Sequence, residues 1–553
     1  MKNYDVVVAG AGPTGLVLAG LLSRAGVKVL VAERRLHRGD RPKAVVLHAP
    51  TLELLDSFGL LDDVVARSIP LERFAFHVGG AGEFCADMTG MDSHVDGYRN
   101  LPQPVLEGLL EKYALEYGAH IEYGVSYVSH DAEDSGISVR FEGHDDVRCT
   151  YLLGSDGPRS AVRQTLGIPM IGRSLTTSYL LVEGIPQELV GRNEVGVHVG
   201  KNGMVTMMPL PDDQVLMAGP VVSGLSLERG AEVPWSQIAD AIETLGFGSR
   251  LRLSQAIRTS HYSVDLRVAE RLVAGHVVLA GDAAHLNTPA GGQGLNLGIG
   301  DAVALSWRIL VALNNDDSGV LAGYDEERRQ FAAKIGQTTF LAPLIDRMRA
   351  ANDATLPAIQ EELNELALSW SQLYPGPGNW NGAHYELGVG ARVPSWIRTD
   401  AGLIPFLAPS DRIDGSTLVL FDGAETGAVE SGLPIPPVRE VHRISRPGSG
   451  RVTVPAHARG LLVRPDRRVA KVLGGPGHLD GVRSLKHLTA PAPFSLNSNS
   501  PKREEFHVIS CHAQGCPPVL RRFACRRRRA VGRSVRRGRA LPRPGRERAD
   551  PRS

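Results

Sequence analysis

The sequence predicts an α/β fold: a nucleotide-binding parallel sheet interleaved with an antiparallel sheet, then a smaller αβ unit. Three observations carry this expectation. A glycine-rich strand–turn–helix–strand unit opens the chain at residues 5–33. Two more strand–glycine-turn segments follow, at 154–163 and 275–296. Short alternating runs of a different character, at 176–225, separate them.

Composition bounds the possibilities. The chain has 553 residues, 42% of them apolar, which suits about three or four folding units and excludes a disordered chain. Its 62 glycines are about 11% of the chain against a usual ~7%, which implies tight turns or close backbone–ligand contact. The net charge of +1 hides two opposed parts: Pro501 to Ser553 holds 16 basic and 4 acidic residues, and the remainder 45 basic and 56 acidic. The acidic main body carries no electrostatic footprint for nucleic acid. The tail, with Arg526 to Arg529 in succession, reads as a basic disordered segment.

Cys85 and Cys149 are the cysteines of the body; Cys511, Cys516 and Cys525 lie in the tail. So few fit a reducing cytoplasm better than a disulfide framework. Residues 6–22 look like a signal peptide, but only Lys2 is cationic ahead of them and Asp5 follows it. No uninterrupted apolar run reaches ~18 residues, so no membrane span is expected.

Taken in order, Asp5 to Ala9 reads as a buried parallel strand. Gly10 to Gly15 is a turn, Leu16 to Ala25 a helix and Val27 to Ala32 the next strand, one βαβ unit. Pro104 to Tyr117 is an amphipathic helix with Val105, Leu106, Leu109, Leu110 and Tyr113 on one face. Runs such as Gly196 to Val199 and Met204 to Met207 alternate as antiparallel strands do. A strand at His276 to Ala280 meets a glycine turn, and a helix follows from about Asp301 to Leu313. Residues 324–372 are helical by pattern. Residues 373–400, with Pro375, Pro377, Trp380 and Trp396, read as a linker. Strands are expected near Leu418 to Phe421 and Leu461 to Val463.

The first motif is Gly10-Ala-Gly12-Pro-Thr14-Gly15, with Glu33 ending the second strand. Gly10 permits the tight turn, Gly12 lets a pyrophosphate approach the backbone, and Gly15 lets helix lie close on strand. The helix N-terminus offers free N–H groups to phosphates, and Glu33 can accept from ribose hydroxyls. This is a Rossmann-like dinucleotide site. The second motif, Gly154-Ser-Asp156-Gly157 to Arg163, ends a strand in an Asp-Gly turn; a turn held by a salt bridge explains it equally well. In the third, Gly281-Asp282-Ala-Ala-His285 precedes Pro289-Ala-Gly-Gly292-Gln293-Gly294-Leu295-Asn296. Asp282, at a strand's carboxyl end, can accept from a polyol chain. The glycine run brings backbone amides against a flat ligand, where they can stabilise negative charge on a reduced ring. For His285, a loop-fixing role is favoured over a catalytic one.

Together these motifs resemble the single-component, FAD-dependent aromatic hydroxylases, the para-hydroxybenzoate hydroxylase-like flavin monooxygenases. The resemblance covers about residues 1–490 and is nearest to the polyketide and antibiotic hydroxylase branch. It implies that Gly10, Gly12, Thr14 and Gly15 surround the FAD pyrophosphate, and that Glu33 and Arg34 face its adenosine side. It places Gln103 near the ribityl chain, Asp156 in a motif shared by FAD and NAD(P)H, and Asp282 on the ribityl hydroxyls. Gly292, Gln293, Gly294, Leu295 and Asn296 line the flavin ring, with Pro289 at its reacting edge, the one catalytic position it implies. Lys43 stands where the family has Arg, and lacks the planar fork of that side chain. Pro50 stands where another Arg is common.

The resemblance also sets the expected division. Residues 1–175 hold FAD-binding segments, with a substrate-domain piece near 73–100. Residues 176–265 form the substrate sheet, 266–385 an FAD segment and helical region, 386–490 a thioredoxin-like unit and 491–553 the tail. The thioredoxin-like unit has no cysteine, so dithiol chemistry is excluded and a structural or dimerising role remains. Arg467 replaces the glycine of the branch's Arg-Pro-Asp-Gly turn, which strains it if that turn needs positive φ.

The implied activity is oxygenation of a polycyclic, polyketide-type phenol, with NADPH or NADH as reductant and O2 as co-substrate, through a flavin C4a-hydroperoxide. The alternatives are Baeyer–Villiger oxygenation of a related ketone, hydroxylation that inactivates an antibiotic, and a non-catalytic nucleotide-binding or basic-tail interaction protein. No metal site is expected; Cys511 and Cys516 are too loosely spaced for one. The substrate is expected between the inserted sheet and the flavin, with Met204, Met207, Met208, Met217 and Phe76 as candidate lining residues. A methionine and aromatic stripe is more often plain core.

Overall fold

The structure is a computed structural model. It describes most of residues 2–371, apart from short stretches of which 221–234 is the longest, and then separate segments up to Leu473. The tail with its three cysteines, and Arg467 and Pro289, lie outside the described residues.

Apolar strands build the first sheet. Val6, Val7 and Val8 are wholly buried because strands of a parallel sheet have both faces covered. The strand Lys2–Ala9 is flanked by parallel partners, Val29–Glu33 on one side and Val147–Gly154 on the other. His120–Tyr123 and Val277–Leu279 extend the sheet outward, also in parallel. All three glycine motifs therefore leave the carboxyl ends of adjacent parallel strands, where open α/β sheets bind ligands.

The helix Pro13–Arg24 packs between Gln103–Glu116 and Gln293–Asn315. Gly20 permits the first contact: a Cβ there would lie 2.4 Å from the Tyr113 ring. The long third helix starts at Gln293, a full two turns before the expected Asp301. Its opening sequence is rich in glycine, which isolated helices disfavour. Close packing overrides that preference, since a Cβ at Gly298 would meet Thr14 Oγ1 at 2.5 Å. This helix is also long and apolar enough to cross a membrane, but 89% of its apolar window is buried inside the protein. It is the core helix of the fold. The expected helical region resolves into Val320–Thr338, Ala342–Arg349 and Leu356–Ser371.

The second sheet has eight strands. Two 17-residue strands, Met170–Pro186 and Leu253–Ala269, form its antiparallel spine, so it reaches past the expected 176–225. Val215–Pro220, Met204–Pro209 and Glu194–Val199 continue it, then Arg73–Val78 and Gly82–Asp87. One pair departs from the antiparallel expectation: Glu194–Val199 runs parallel to Arg73–Val78, because the latter arrives from a distant part of the chain.

Beyond residue 371 the presumed linker contains short strands, Trp380–Asn381, His384–Glu386 and Trp396–Thr399. Its aromatic residues favour strand over coil. A four-stranded mixed sheet then joins Val438–Ile444, Ser416–Phe421, Gly460–Val463 and Val469–Leu473, including the strands expected near 418–421 and 461–463.

Candidate active site

The three motifs converge, and backbone geometry explains why they need glycine. Gly10 has φ of 102°, a region that favours glycine. A Cβ at Gly15 would lie 2.0 Å from the Gly10 carbonyl oxygen. Ser155 ties the second motif to the first by donating to the carbonyls of Ala9 and Gly10, at 3.0 and 3.2 Å. Arg163, buried, donates to the Ala283 carbonyl at 2.9 Å and so ties the second motif to the third. Thr14 fills the space between Gly281 and Gly298.

Glu33 is buried and faces its own loop. Its Oε2 accepts from the Ala11 N–H at 2.8 Å, and its Oε1 from the Arg35 backbone and side chain at 3.0 Å. Burial alone would raise its pKa, but the bonds from Arg35 and Ala11 outweigh that and hold the carboxyl below its ordinary value. Arg34 beside it is exposed. Sequence reading missed Arg35 and Glu107. Arg35 lies 3.9 Å from buried Glu107, which also accepts from Gln103 at 2.8 Å. Gln103 in turn accepts from the Ala44 N–H at 3.3 Å, which anchors the exposed Lys43 segment. The Lys43 charge is felt by both Glu107 and Asp282, so the ammonium supplies the local charge without an arginine's fork. Pro50 lies in the first turn of the helix Ala49–Ser57, where no donor is needed.

Asp156 is a helix anchor. Its Oδ2 accepts from the N–H groups of Ala161 and Val162 at 2.6 and 3.2 Å, while its Oδ1 is buried with no partner among the described residues. The turn that a salt bridge was expected to hold is held by these backbone N–H groups.

In the third motif Asp282 reaches solvent, yet protein crowds round it. Burial raises its carboxyl pKa, opposed by His285 and Lys43. His285 is structural: its Nε2 meets Asp301 Oδ2 at 2.6 Å in full burial. Asp301 also accepts from Arg328 at 2.6 Å and from the Gly281 N–H at 2.9 Å. Burial alone would raise the Asp301 pKa, but His285 and Arg328 overcome that and hold it at about 2. Sequence reading missed this triad, because Asp301 and Arg328 look like ordinary helix charges. Gly291 and Gly292 turn with φ of 73° and 65°. Asn296 accepts from the His48 N–H at 3.0 Å and donates to the carbonyls of Val46 and Gly292 at 2.9 and 2.7 Å. His48, also missed, donates from Nε2 to the Gly291 carbonyl at 2.7 Å.

These residues fit a dinucleotide carrying a flat ring. The Pro13 helix has no side-chain cap at its N-terminus, and nothing lies within 4 Å of where a Gly12 Cβ would be. The backbone amides are thus open to a phosphate. Gly294 is equally open. Among the described residues, Asn287 Nδ2, Thr288 Oγ1 and both amide atoms of Gln293 are buried without a partner, and a polar ring edge would satisfy them.

The second sheet turns one face to this motif. Leu181, Leu216 and Ala218 cluster with Val45, and Val46 and Met208 pack on them. Val46 also abuts Gly292: a Cβ there would lie 2.9 Å away. Of the candidate lining residues, only Met208 and Met204 are half-buried on this side of their strand. Met207 pairs with Gly196 and Met217, and alternation puts it on the opposite face. Met207, Met217 and Phe76 are core residues, at 1%, 2% and 0% exposure.

Three glycine turns at the ends of adjacent parallel strands, with an apolar sheet face turned to them, suit a dinucleotide-binding oxidoreductase. The chain belongs to the FAD binding domain family, whose pattern matches residues 3–339. It is 33% identical over 349 residues to a 12-dehydrotetracycline 5-monooxygenase/anhydrotetracycline 6-monooxygenase of Streptomyces rimosus, covering 61% of this chain and 69% of that protein. It is 31% identical over 342 residues to a rifampicin monooxygenase of Streptomyces venezuelae, covering 61% and 70%. The solved anhydrotetracycline hydroxylase from Streptomyces rimosus superposes with a TM-score of 0.67 at 28% identity, covering 87% of this chain and 99% of that one. The chain is an FAD-dependent monooxygenase, which uses dioxygen and a reduced nicotinamide.

Proposed function

We propose that the enzyme hydroxylates a polycyclic, polyketide-type phenol. The observation that carries this is the half-buried pair Met204 and Met208 on the sheet face turned to the glycine turn, beside Val46, which abuts Gly292. A flat apolar wall with few polar groups suits a flat polycyclic ring. The names of the tetracycline and rifampicin relatives support the same class.

In this reading Gly10, Gly12, Thr14 and Gly15 hold the FAD pyrophosphate, with Glu33 and Arg34 at the adenosine side. Lys43, Gln103 and Asp282 serve the ribityl chain. Asp156 braces the second turn, and Gly292 to Asn296 with Pro289 frame the ring. Bound there, FAD supplies the redox chemistry: electrons from NAD(P)H let one oxygen atom of O2 enter the substrate while the other leaves as water. The protein orients the phenol and excludes water. Asp301 and His285 keep the Asp282 turn in place, and the Asn296–His48 bonds fix the glycine turn. The same reading assigns 1–175 and 266–385 to the FAD region and 176–265 to the substrate sheet. It makes 386–490 a thioredoxin-like unit for structure or for homodimer contact, and places the protein in the cytoplasm.

The test is NADPH consumption by the purified flavoprotein with anhydrotetracycline, rifampicin and simple phenols, with mass spectrometry of the products. Stimulated oxidation with one added oxygen on an intact ring supports the reading. A lactone or an opened ring replaces it with Baeyer–Villiger oxygenation. No stimulation by any polycyclic phenol overturns the substrate class.

A further inference from the structure

The sheet face that looks toward the third motif carries one carboxyl group among its described residues. Register places Met208, Leu216, Glu183 and Arg258 side by side on four adjacent strands. Half-buried Met208 is the residue of this row assigned to the substrate wall, and Glu183, in the same row, faces the same way. The strand register shifts between Glu183 and Gly184, and irregularities of this kind re-aim a side chain next to active sites. Gly184 allows the irregularity, since a Cβ there would lie 2.5 Å from the Gln255 carbonyl oxygen.

Among the described residues nothing uses the whole carboxyl group. Glu183 is half-buried, and its Oε2 is buried with no hydrogen-bond partner among the described residues. An acceptor left unpaired in this way costs stability and calls for a ligand or a role. The charged and titratable groups facing it are few. Arg258 stands opposite on the neighbouring strand and itself donates to the Asp40 carbonyl. Tyr179 lies two pairs along the same strand face. Among the described residues, the strands on the other side place Leu216 and Met208 in its row.

We infer that Glu183 is the group that takes the proton of the substrate's phenolic hydroxyl, making it a catalytic base and a selector for acidic hydroxyls. The inference rests on the phenol reading above. The O–H bond breaks, its proton passes to the Glu183 carboxylate, and the electron pair stays on oxygen. The resulting phenolate feeds electron density to the ring carbon that receives the oxygen atom, and the proton returns to solvent afterwards. Burial raises the Glu183 pKa and Arg258 pulls it back, a balance that gives a stronger base than an exposed carboxylate.

The test uses the FAD-loaded enzyme without NADPH, so that nothing turns over, and anhydrotetracycline as the probe. A phenolate absorbs at longer wavelength than its phenol, so a difference spectrum reads the bound ionisation state. The wild type should bind the probe as its anion at a pH where free probe is neutral. Glu183→Gln should bind it neutral, and under turnover its rate should fall about 100-fold. Glu183→Asp should restore part of the anion band. Flavin content equal to wild type certifies the fold of each variant. An anion band of wild-type size in Glu183→Gln overturns the inference. A wild type that binds no probe at all overturns the substrate reading and this inference together, and is seen before any substitution is made.

Discussion

Around the three glycine motifs the chain works with backbone; across the second sheet it works with side chains. The cradle is built from close approaches such as Gly15 against the Gly10 carbonyl and Gly298 against Thr14. It is locked by the buried Asp301 triad. The sheet wall is built from Met204, Met208 and Glu183, set by strand register alone. Backbone contacts suit a ligand that never changes. A wall of side chains can vary with the substrate while the strands stay the same.

The sharpest way to break this contrast is to remove the lock. Asp301→Ala leaves Arg328 buried without its carboxylate, and should cost about 3–5 kcal/mol, read by denaturant unfolding. Asp301 has a folded pKa of about 2, below its ordinary 3.8. Its stabilising contribution is therefore present above pH ~4 and lost as pH falls toward ~2. The variant should lack this part of the acid-unfolding profile; an unchanged profile would show that the triad stabilises nothing.

Next in size is Gly15→Ala. Both partners in the clash are backbone, so the loop must shift, costing about 1–3 kcal/mol. Flavin content should drop steeply, and flavin retained at the wild-type level would contradict the close-approach account. A smaller effect is expected from Asp282→Asn, which keeps shape and removes charge. FAD affinity should weaken about 10-fold, the loss of one charge-assisted bond of roughly 1.5 kcal/mol. Equilibrium flavin titration measures it, with the melting temperature of the apoprotein unchanged.

The smallest pair sharpens the account of the wall. Met208→Ala, on the face toward the glycine turn, should raise KM about 10-fold. Met207→Leu, on the opposite face, should cost under about 1.5 kcal/mol and leave KM alone. Equal KM values for the two would erase the distinction between the faces.

The same contrast governs what could be read in advance. Gly10, Gly12, Gly15 and the Gly291-Gly292 pair announce themselves, because backbone approach demands one residue type at fixed spacing. Asp282 follows from its place at a strand end. Glu33 ends its strand as expected, but its bonds to Ala11 and Arg35 and the approach of Arg35 to Glu107 leave no signature in the spacing. Asp301 and Arg328 leave no spacing for the same reason, and the glycines that open the Gln293–Asn315 helix mask its start. On the sheet, alternation gave strands but not their facing, so Met207 and Met208 looked equivalent. Only the register separates them.

The central claim is that the three motifs form one FAD site, and the most direct measurement is the flavin released per chain. The purified full-length protein, supplied with FAD and then freed of excess, should release one FAD per chain on denaturation. A protein that holds no flavin under these conditions would contradict the account at its base.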